Sequence, residues 1–374
     1  MTELLKTQFY KYHKKQAKLI EFCGYEMPLY YSTIIREHNA IRRYAGVFDV
    51  SHMGRVIITG IDAKKLLDYL VPTDIKKIDI GQSIYTVICN ENGGIIDDIT
   101  ILRIMESEYM LIVNCINKSK VINWIKKKSL EYNINIKDIT DDSALIALQG
   151  PQSKIIMKKI FGDEINQIER FHHIKNIINK HKIIISRTGY TGENGFEICI
   201  FNSTSDNPGI SEKIWEQIID FKGTEQVLPC GLGARDSLRI EAGMCLHGLD
   251  INEEITPIEA KLNWIIDFKK NFIGKMALLE ESKKELKKIR VGVRIIDNGI
   301  PRSGYKIISQ NKQIGEITSG TFSPILKKGI AIGYINYINR DNKQIYIRIR
   351  NKDHKARITK MPFYDTEKYG WRRK

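Results

Sequence analysis

Apolar and polar positions alternate through much of this chain, and the alternation is broken by a few helical stretches. Arg55 to Thr59 reads as a strand, followed by a helix with Asp62 at its N-cap, Leu66, Leu67 and Leu70 on one face, and Pro72 as its stop. Ser83 to Cys89 reads as the next strand, the cluster from Asn90 to Gly94 as a hairpin turn, and Tyr109 to Cys115 as a third strand across a meander. A helix should follow Asn117, burying Val121, Trp124 and Ile125. Ala144 to Leu148 predicts a strand, Pro151 the first residue of a helix, Lys182 to Ser186 another strand, and Ile214, Trp215 and Ile218 a further helix. Leu279 to Lys288, dense in Lys and Glu, has helical character and marks a domain boundary. Beyond it the chain reads as all-β, with Ile345, Ile347 and Ile349 alternating with Tyr346, Arg348 and Arg350 between Gly and Pro turns. The order of elements is an α+β pattern without a βαβ rhythm.

The middle of the meander breaks the pattern. Asp97 and Asp98 lie side by side in the β-branched run Ile95-Ile96-Asp97-Asp98-Ile99-Thr100. Asp is depleted in strands and costly to bury without partners, so a carboxylate kept there is a candidate for chemistry. With a four-residue first loop, Tyr85 pairs opposite Asp98; with the second loop at Met105 to Ser107, so does Asn114. Tyr85, Asp98 and Asn114 then form one row on one face, and Asp97 points to the other, where a backbone amide or a cation would hold it. A one-residue slip would break the row.

Composition adds limits. A length of 374 residues with 42% hydrophobic content supports two or three domains with sizeable cores. The formal charge of +15 fits nucleic acid, an acidic membrane surface or an acidic protein partner, or simple lysine drift, since lysines are spread along the whole chain. The six cysteines form no CxxC pair, which argues against zinc or iron–sulfur ligation and for buried free thiols in a reducing compartment. No apolar run is long enough to span a membrane, and the basic N-terminus lacks the hydrophobic core of a signal peptide. The glycines at 231 and 233 belong to no GxxxxGK[ST] loop.

Taken in order, FCGYEMPLYY at 22–31, AGVFDVSHMG at 45–54, NENGGIIDD at 90–98, LQGP at 148–151, RTGYTGENGFEI at 187–198, CGLGARDSLRIEAGMCL at 230–246, EEITPIEA at 253–260 and SGTFSPILKKGIA at 319–331 resemble the T-protein (aminomethyltransferase) family of the glycine cleavage system over essentially the whole chain. That resemblance implies a three-domain, cloverleaf-like α+β arrangement of mainly antiparallel sheets, with a C-terminal β-barrel or jelly-roll around a central folate pocket. The domains would be 1–50 with 144–240, 51–143 with 241–280, and 281–374. It implies transfer of a one-carbon unit from an aminomethyl group on the lipoyl arm of H-protein to tetrahydrofolate, releasing ammonia, with tetrahydrofolate as co-substrate and no metal. The expected partners are lipoylated H-protein and folate, not nucleic acid or membrane, and the expected state is a cytoplasmic monomer.

Matched residue by residue, the family's critical aspartate is Asp98, and its folate positions are Met53, Tyr85, Asn114, Tyr190, Glu197, Arg235 and Trp264. Bland readings compete. Glu197 would sit on a solvated face, Arg235 would be neutralised by Asp236, with Arg239 as its rival for a role, and Tyr190 and Trp264 would be core aromatics. His52 is read as a packing or hydrogen-bonding residue. The chain departs from the family at Leu246-His247-Gly248 and at Leu249, and its tail from Tyr364 onward matches poorly, so no role is carried to either. The second reading is a folate-binding iron–sulfur assembly factor of the same fold. Its K-G-C-Y-x-G-Q-E motif is missing here, where Ala242-Gly243-Met244-Cys245-Leu246 stands. A basic nucleic-acid-binding protein is the third, on charge alone. The folate domain of a demethylating flavoenzyme is a further relative, but the chain has no dinucleotide-binding half.

Overall fold

A computed structural model describes residues 3–373 apart from Asn179, Thr224 and Lys343. Three β-layers organise the chain. A six-stranded sheet runs in the order His173–Ile178, His181–Ser186, Gly195–Phe201, Ser143–Gln149, Gly46–Asp49, Leu228–Pro229; its only parallel pair joins the last two strands. A five-stranded antiparallel sheet runs Ser83–Cys89, Ile95–Met105, Glu108–Val113, Gly54–Thr59, Asn135–Asp138. The third layer is a closed six-stranded barrel between Lys288 and Thr359, so of the two predicted forms the barrel is the one adopted. A short hairpin, Lys18–Phe22 with Tyr25–Tyr30, stands apart from these.

Helices cover the outer sheet faces because their apolar stripes match them. Ala63–Leu70 and Lys118–Lys128 bury Leu66, Leu67, Leu70, Val121 and Ile125 on the five-stranded sheet. Ser153–Phe161 and Ile210–Ile219 bury Ile156, Met157, Ile214 and Trp215 on the six-stranded one. The inner faces meet each other through Phe48, Val50, Leu102, Ile104, Met110, Leu145 and Ile184. In the barrel, the alternation of Ile345 and Ile347 with Tyr346 and Arg348 puts the isoleucines inside.

Some boundaries differ from the sequence reading, among them the third meander strand, which ends at Val113 rather than Cys115. Pro151 lies in a turn, not at the first helical position. Ser153 N–H bonds the Gly150 carbonyl at 3.1 Å, and the helix begins only at Ser153. The helix near the domain boundary is Lys275–Glu281, so it ends well before Lys288, where the first barrel strand begins.

Buried charge ties the layers together. Arg42, on helix Ile34–Arg43, reaches Glu241 (3.0 Å) on helix Leu232–Ala242, Glu193 (3.2 Å) and the Thr191 carbonyl (2.8 Å), and its guanidinium lies 4.6 Å from the centre of the Tyr364 ring. His38 adds a 3.0 Å contact to Glu241. Both acids are buried and share Arg42, while Glu193 is also met by Arg373 at 3.2 Å. Arg42→Met should therefore cost about 3–5 kcal/mol, the usual result of stripping one partner from a buried ion pair. Urea unfolding of variant and parent measures it, and a loss under about 1 kcal/mol would mean the network is dispensable.

Candidate active site

The meander is built by its turn. The Asn90 side-chain carbonyl accepts from Asn92 N–H (3.0 Å) and Gly94 N–H (2.9 Å), and Gly93 adopts φ +85°. A Cβ at Gly94 would sit 1.8 Å from the Glu253 carbonyl, so only glycine fits there. The loop closes on Cys89 and Ile95, one residue later than a four-residue loop, and a bulge beyond it adds a second shift. Val87 therefore lies opposite Asp98, and Tyr85 opposite Thr100. The straight row does not form on the Tyr85 side. Two one-residue shifts add to an even number, so Tyr85 stays on the expected face, and its hydroxyl donates diagonally to Asp98 Oδ2 at 3.0 Å.

Asn114 follows the last residue of strand Glu108–Val113 and precedes the short 3₁₀ turn Cys115–Asn117. Its amide Nδ2 donates to Asp98 Oδ1 (2.8 Å) and Asp97 Oδ1 (2.8 Å), and its backbone N–H to Asp97 Oδ2 (3.0 Å). Asp97 thus has the backbone amide expected of it, and the Asn114 side chain, beyond the end of its strand, reaches both carboxylates. Asn117 Nδ2 donates to Asp97 Oδ1 (2.7 Å) and lies 2.9 Å from His247 Nδ1; His247 Nε2 is 3.2 Å from the Ile95 carbonyl. With Nδ1 accepting and Nε2 donating, His247 is the neutral Nε2–H tautomer, and burial holds its pKa below the ordinary histidine value.

Asp98 opens onto a cavity of about 1800 Å³ between the sheets and the barrel, whereas Asp97 does not line it. Met53, Tyr85, Asn114, Tyr190, Glu197, Arg235 and Trp264 all line the same cavity, so the eight predicted positions, drawn from distant parts of the sequence, converge on one space. Trp264 is 68% exposed, which rejects the core reading, and stacks near Tyr85 with ring centres 6.1 Å apart and planes 23° apart. The Tyr190 hydroxyl donates to the Cys245 carbonyl. Glu197, paired in strand Gly195–Phe201, accepts from the Thr188 hydroxyl and faces the cavity. Asp236 does not neutralise Arg235. Its partner is Arg239 at 2.8 Å, which also binds Asp250. Arg235 instead lies 4.7 Å from the centre of the Tyr190 ring, and its buried Nη1 has no hydrogen-bond partner.

Electrostatics follow from burial. Asp97 is raised to about 7, first by burial and then by the Asp98 charge; burial raises Asp98 as well, against its bonds from Tyr85 and Asn114. Burial and the adjacent Asp98 keep the Tyr85 phenol protonated, so it donates. His52 is lowered to about 3 by burial, and its Nδ1 is unpartnered, which makes it a neutral cavity wall edge-on to Phe22 at 5.5 Å.

Asn117, His247 and the tail escaped sequence reasoning. The Asn-x-x-Asn spacing of Asn114 and Asn117 around one tight turn was the available signal for Asn117. Thr366, Trp371 and Arg372 of the tail line the cavity, as do Arg170, Arg187 and Arg302; Arg170 sits 3.8 Å from the centre of the Trp371 ring.

A paired carboxylate cradled by amides, facing a deep cavity lined by aromatic and cationic groups between two sheets and a barrel, defines a binding cleft fit for a planar, polar ligand. The sequence matches the GCVT N-terminal domain over residues 9–270 and the glycine cleavage T-protein C-terminal barrel domain over 288–365. It is 42% identical to the aminomethyltransferase of Thermosipho melanesiensis over 96% of both chains, and 42% identical to that of Caldanaerobacter subterraneus over 97% of both. The crystal structure of the glycine cleavage system aminomethyltransferase T from Bartonella henselae superimposes with a TM-score of 0.90 at 32% identity, covering 98% of this chain and 99% of that one. The chain belongs to the glycine cleavage T-protein family of aminomethyltransferases.

The carboxylate pair predicts a pH dependence of stability. An unfolded aspartate loses its proton near about pH 3.9. The folded pair keeps one until about pH 7. Between those values the folded state binds more protons than the unfolded state, so stability falls as pH rises from about 4 to about 7 and levels off above. Asp97→Asn should flatten that slope while lowering stability at every pH. Urea unfolding at several pH values, parent against variant, checks both, and an unchanged slope would place the proton elsewhere.

Proposed function

We propose that this protein transfers the one-carbon unit of an aminomethyl group, carried on the lipoyl arm of H-protein, to tetrahydrofolate. The observation that carries the reading is the Asp98 carboxylate, held by Tyr85 and Asn114 and open to the one cavity where all the family-matched positions meet. Chemically, ammonia leaves the aminomethyl carbon, folate nitrogens bond to that carbon, and the lipoyl sulfur departs as a thiol. A fixed negative charge beside the folate amine stabilises the cationic centre that develops and accepts a proton from the attacking nitrogen. Tyr85 and Asn114 keep Asp98 from rotating away, so little reorganisation is needed at the moment of transfer.

The rest of the cavity suits the other reactant parts. Glu197 can accept from the amino and ring N–H groups of a pterin, and the unpartnered Arg235 Nη1 can donate to its carbonyl oxygen. Trp264 and Tyr85 offer flat faces to the rings. Arg170, Arg187, Arg302 and Arg372 supply positive charge for the carboxylates of the folate glutamyl tail. At about 1800 Å³ the space exceeds what one small ligand needs, as a site where two reactants meet should. Among the described residues no helix is long and apolar enough to cross a membrane.

Asp98→Asn keeps the shape and loses the charge. Turnover in single-turnover transfer from aminomethyl-loaded H-protein should fall roughly 10²-fold or more, as for other preorganised electrostatic groups. Asp97→Asn should leave the folded fraction nearly as fast as the parent. Near-parental transfer by Asp98→Asn, or a larger chemical defect in Asp97→Asn, would overturn the assignment of the reacting carboxylate.

Glu197→Gln should weaken tetrahydrofolate binding by about 1.5–3 kcal/mol, the cost of a lost charge-assisted hydrogen bond, with the fold intact. Direct titration measures this, and an unchanged affinity would remove Glu197 from pterin recognition.

A further inference from the structure

Two thiols in the cavity wall play no part in the chemistry above. Cys23 occupies the two-residue turn of the hairpin between Lys18–Phe22 and Tyr25–Tyr30. Both turn residues adopt positive φ, +52° at Cys23 and +82° at Gly24. Asn or Gly suits the first of these positions better than cysteine does. Cys115, 92 residues on, opens the 3₁₀ turn that follows Asn114, and its thiol donates to the Cys23 carbonyl at 3.6 Å. The neighbouring thiols shift each other, favouring the Cys23 thiolate and disfavouring that of Cys115. Both side chains line the cavity and are partly exposed, whereas Cys89, Cys199, Cys230 and Cys245 are buried.

We propose that Cys23 and Cys115 form a redox-active dithiol site that takes low-molecular-weight disulfides as co-reactant. The Cys23 thiolate attacks one sulfur of the disulfide, forming a mixed disulfide and releasing the first small thiol. The Cys115 thiol loses its proton to solvent, attacks the Cys23 sulfur and expels the second. Two protein thiols are oxidised to one disulfide, and the co-reactant is reduced to two thiols. The hydrogen bond that the Cys115 thiol donates to the Cys23 carbonyl keeps Cys115 protonated, so Cys23 attacks first and Cys115 resolves. Cys115 adjoins Asn114, whose amide spans Asp97 and Asp98, so drawing Cys115 into a covalent link with the hairpin pulls on the residue that holds the carboxylate pair. The site therefore joins thiol redox state to the geometry of Asp98.

The test incubates the full-length protein with oxidised glutathione, maps its peptides without reduction, and titrates tetrahydrofolate before and after, with dithiothreitol as reversal. The expected result is a chain two hydrogens lighter, a peptide linking Cys23 to Cys115, and folate affinity weakened roughly tenfold, as for a displaced polar contact, and restored by dithiothreitol. Cys23→Ser and Cys115→Ser should each block the link; Cys23→Ser should leave folate affinity indifferent to the oxidant, whereas Cys115→Ser should trap one glutathione on Cys23 as a mixed disulfide. Glutathione adducts without the internal link, or a link elsewhere, overturn the dithiol site. A link formed with folate affinity unchanged overturns its coupling to Asn114. Failure of the reduced parent to bind folate would count against the function proposed above, while the peptide map would still decide the dithiol.

Discussion

Two neighbouring carboxylates in a buried strand are the constraint around which this structure is arranged. Each costs several kcal/mol to desolvate, and each raises the cost of ionising the other. The protein answers with amides. Asn114 donates to both acids and Asn117 to the inner one, while Tyr85 closes the remaining oxygen of Asp98. These donors must arrive from a neighbouring strand, from the turn beyond its partner, and from the helix start after it. The bulge in the hairpin, the glycine pressed against Glu253 and the asparagine-built turn all serve that meeting.

The same economy separates the two acids by role. Asp97 spends its oxygens on protein donors and has no face on the cavity, so its charge state is a matter of folding. Asp98 keeps a face toward the cavity, so its charge is available to whatever binds there. His247, joined to Asp97 through Asn117, extends the network to the loop before the Asp250 that binds Arg239. A residue at which this chain departs from its family therefore sits two hydrogen bonds from the carboxylate pair.

Rigidity around the cavity comes from charge buried at its back. Arg42 holds two helices, the loop at 187–194 and the tail in one cluster, so the walls that carry Glu197 and Tyr190 share a support with the tail that carries Trp371 and Arg372. Such a cluster offers little net stability over an apolar core, but breaking it is costly, and that fixes relative placement. The hairpin bearing Cys23 forms a separate two-stranded ribbon beside this scaffold, with Met27 buried against it.

Local pattern was enough for the elements of the five-stranded sheet and for the odd acid pair, but it missed the helices Ile34–Arg43 and Leu232–Ala242 that carry Arg42 and Glu241. Alternation exposed the strands, apolar residues three and four apart exposed the helices on the five-stranded sheet, and an aspartate pair amid β-branched residues was visible as an anomaly because burial energy forbids it without purpose. The ordered motifs added the cavity positions. Exact register was beyond reach. Loop length and a bulge are set by contacts such as Gly94 against Glu253, 159 positions away in sequence; the predicted row did not form on the Tyr85 side, and Tyr85 kept its face only because the two one-residue shifts add to an even number. Adjacency in sequence is a poor guide to pairing here, since Asp236 pairs with Arg239, three residues on along the helix, rather than with its neighbour Arg235, which left Arg235 free for the cavity. Which polar atoms are left without partners, which cysteines come together, and which residues of the tail reach the cavity are decided by chain segments tens to hundreds of residues apart coming into contact, and sequence alone carries no record of those distances.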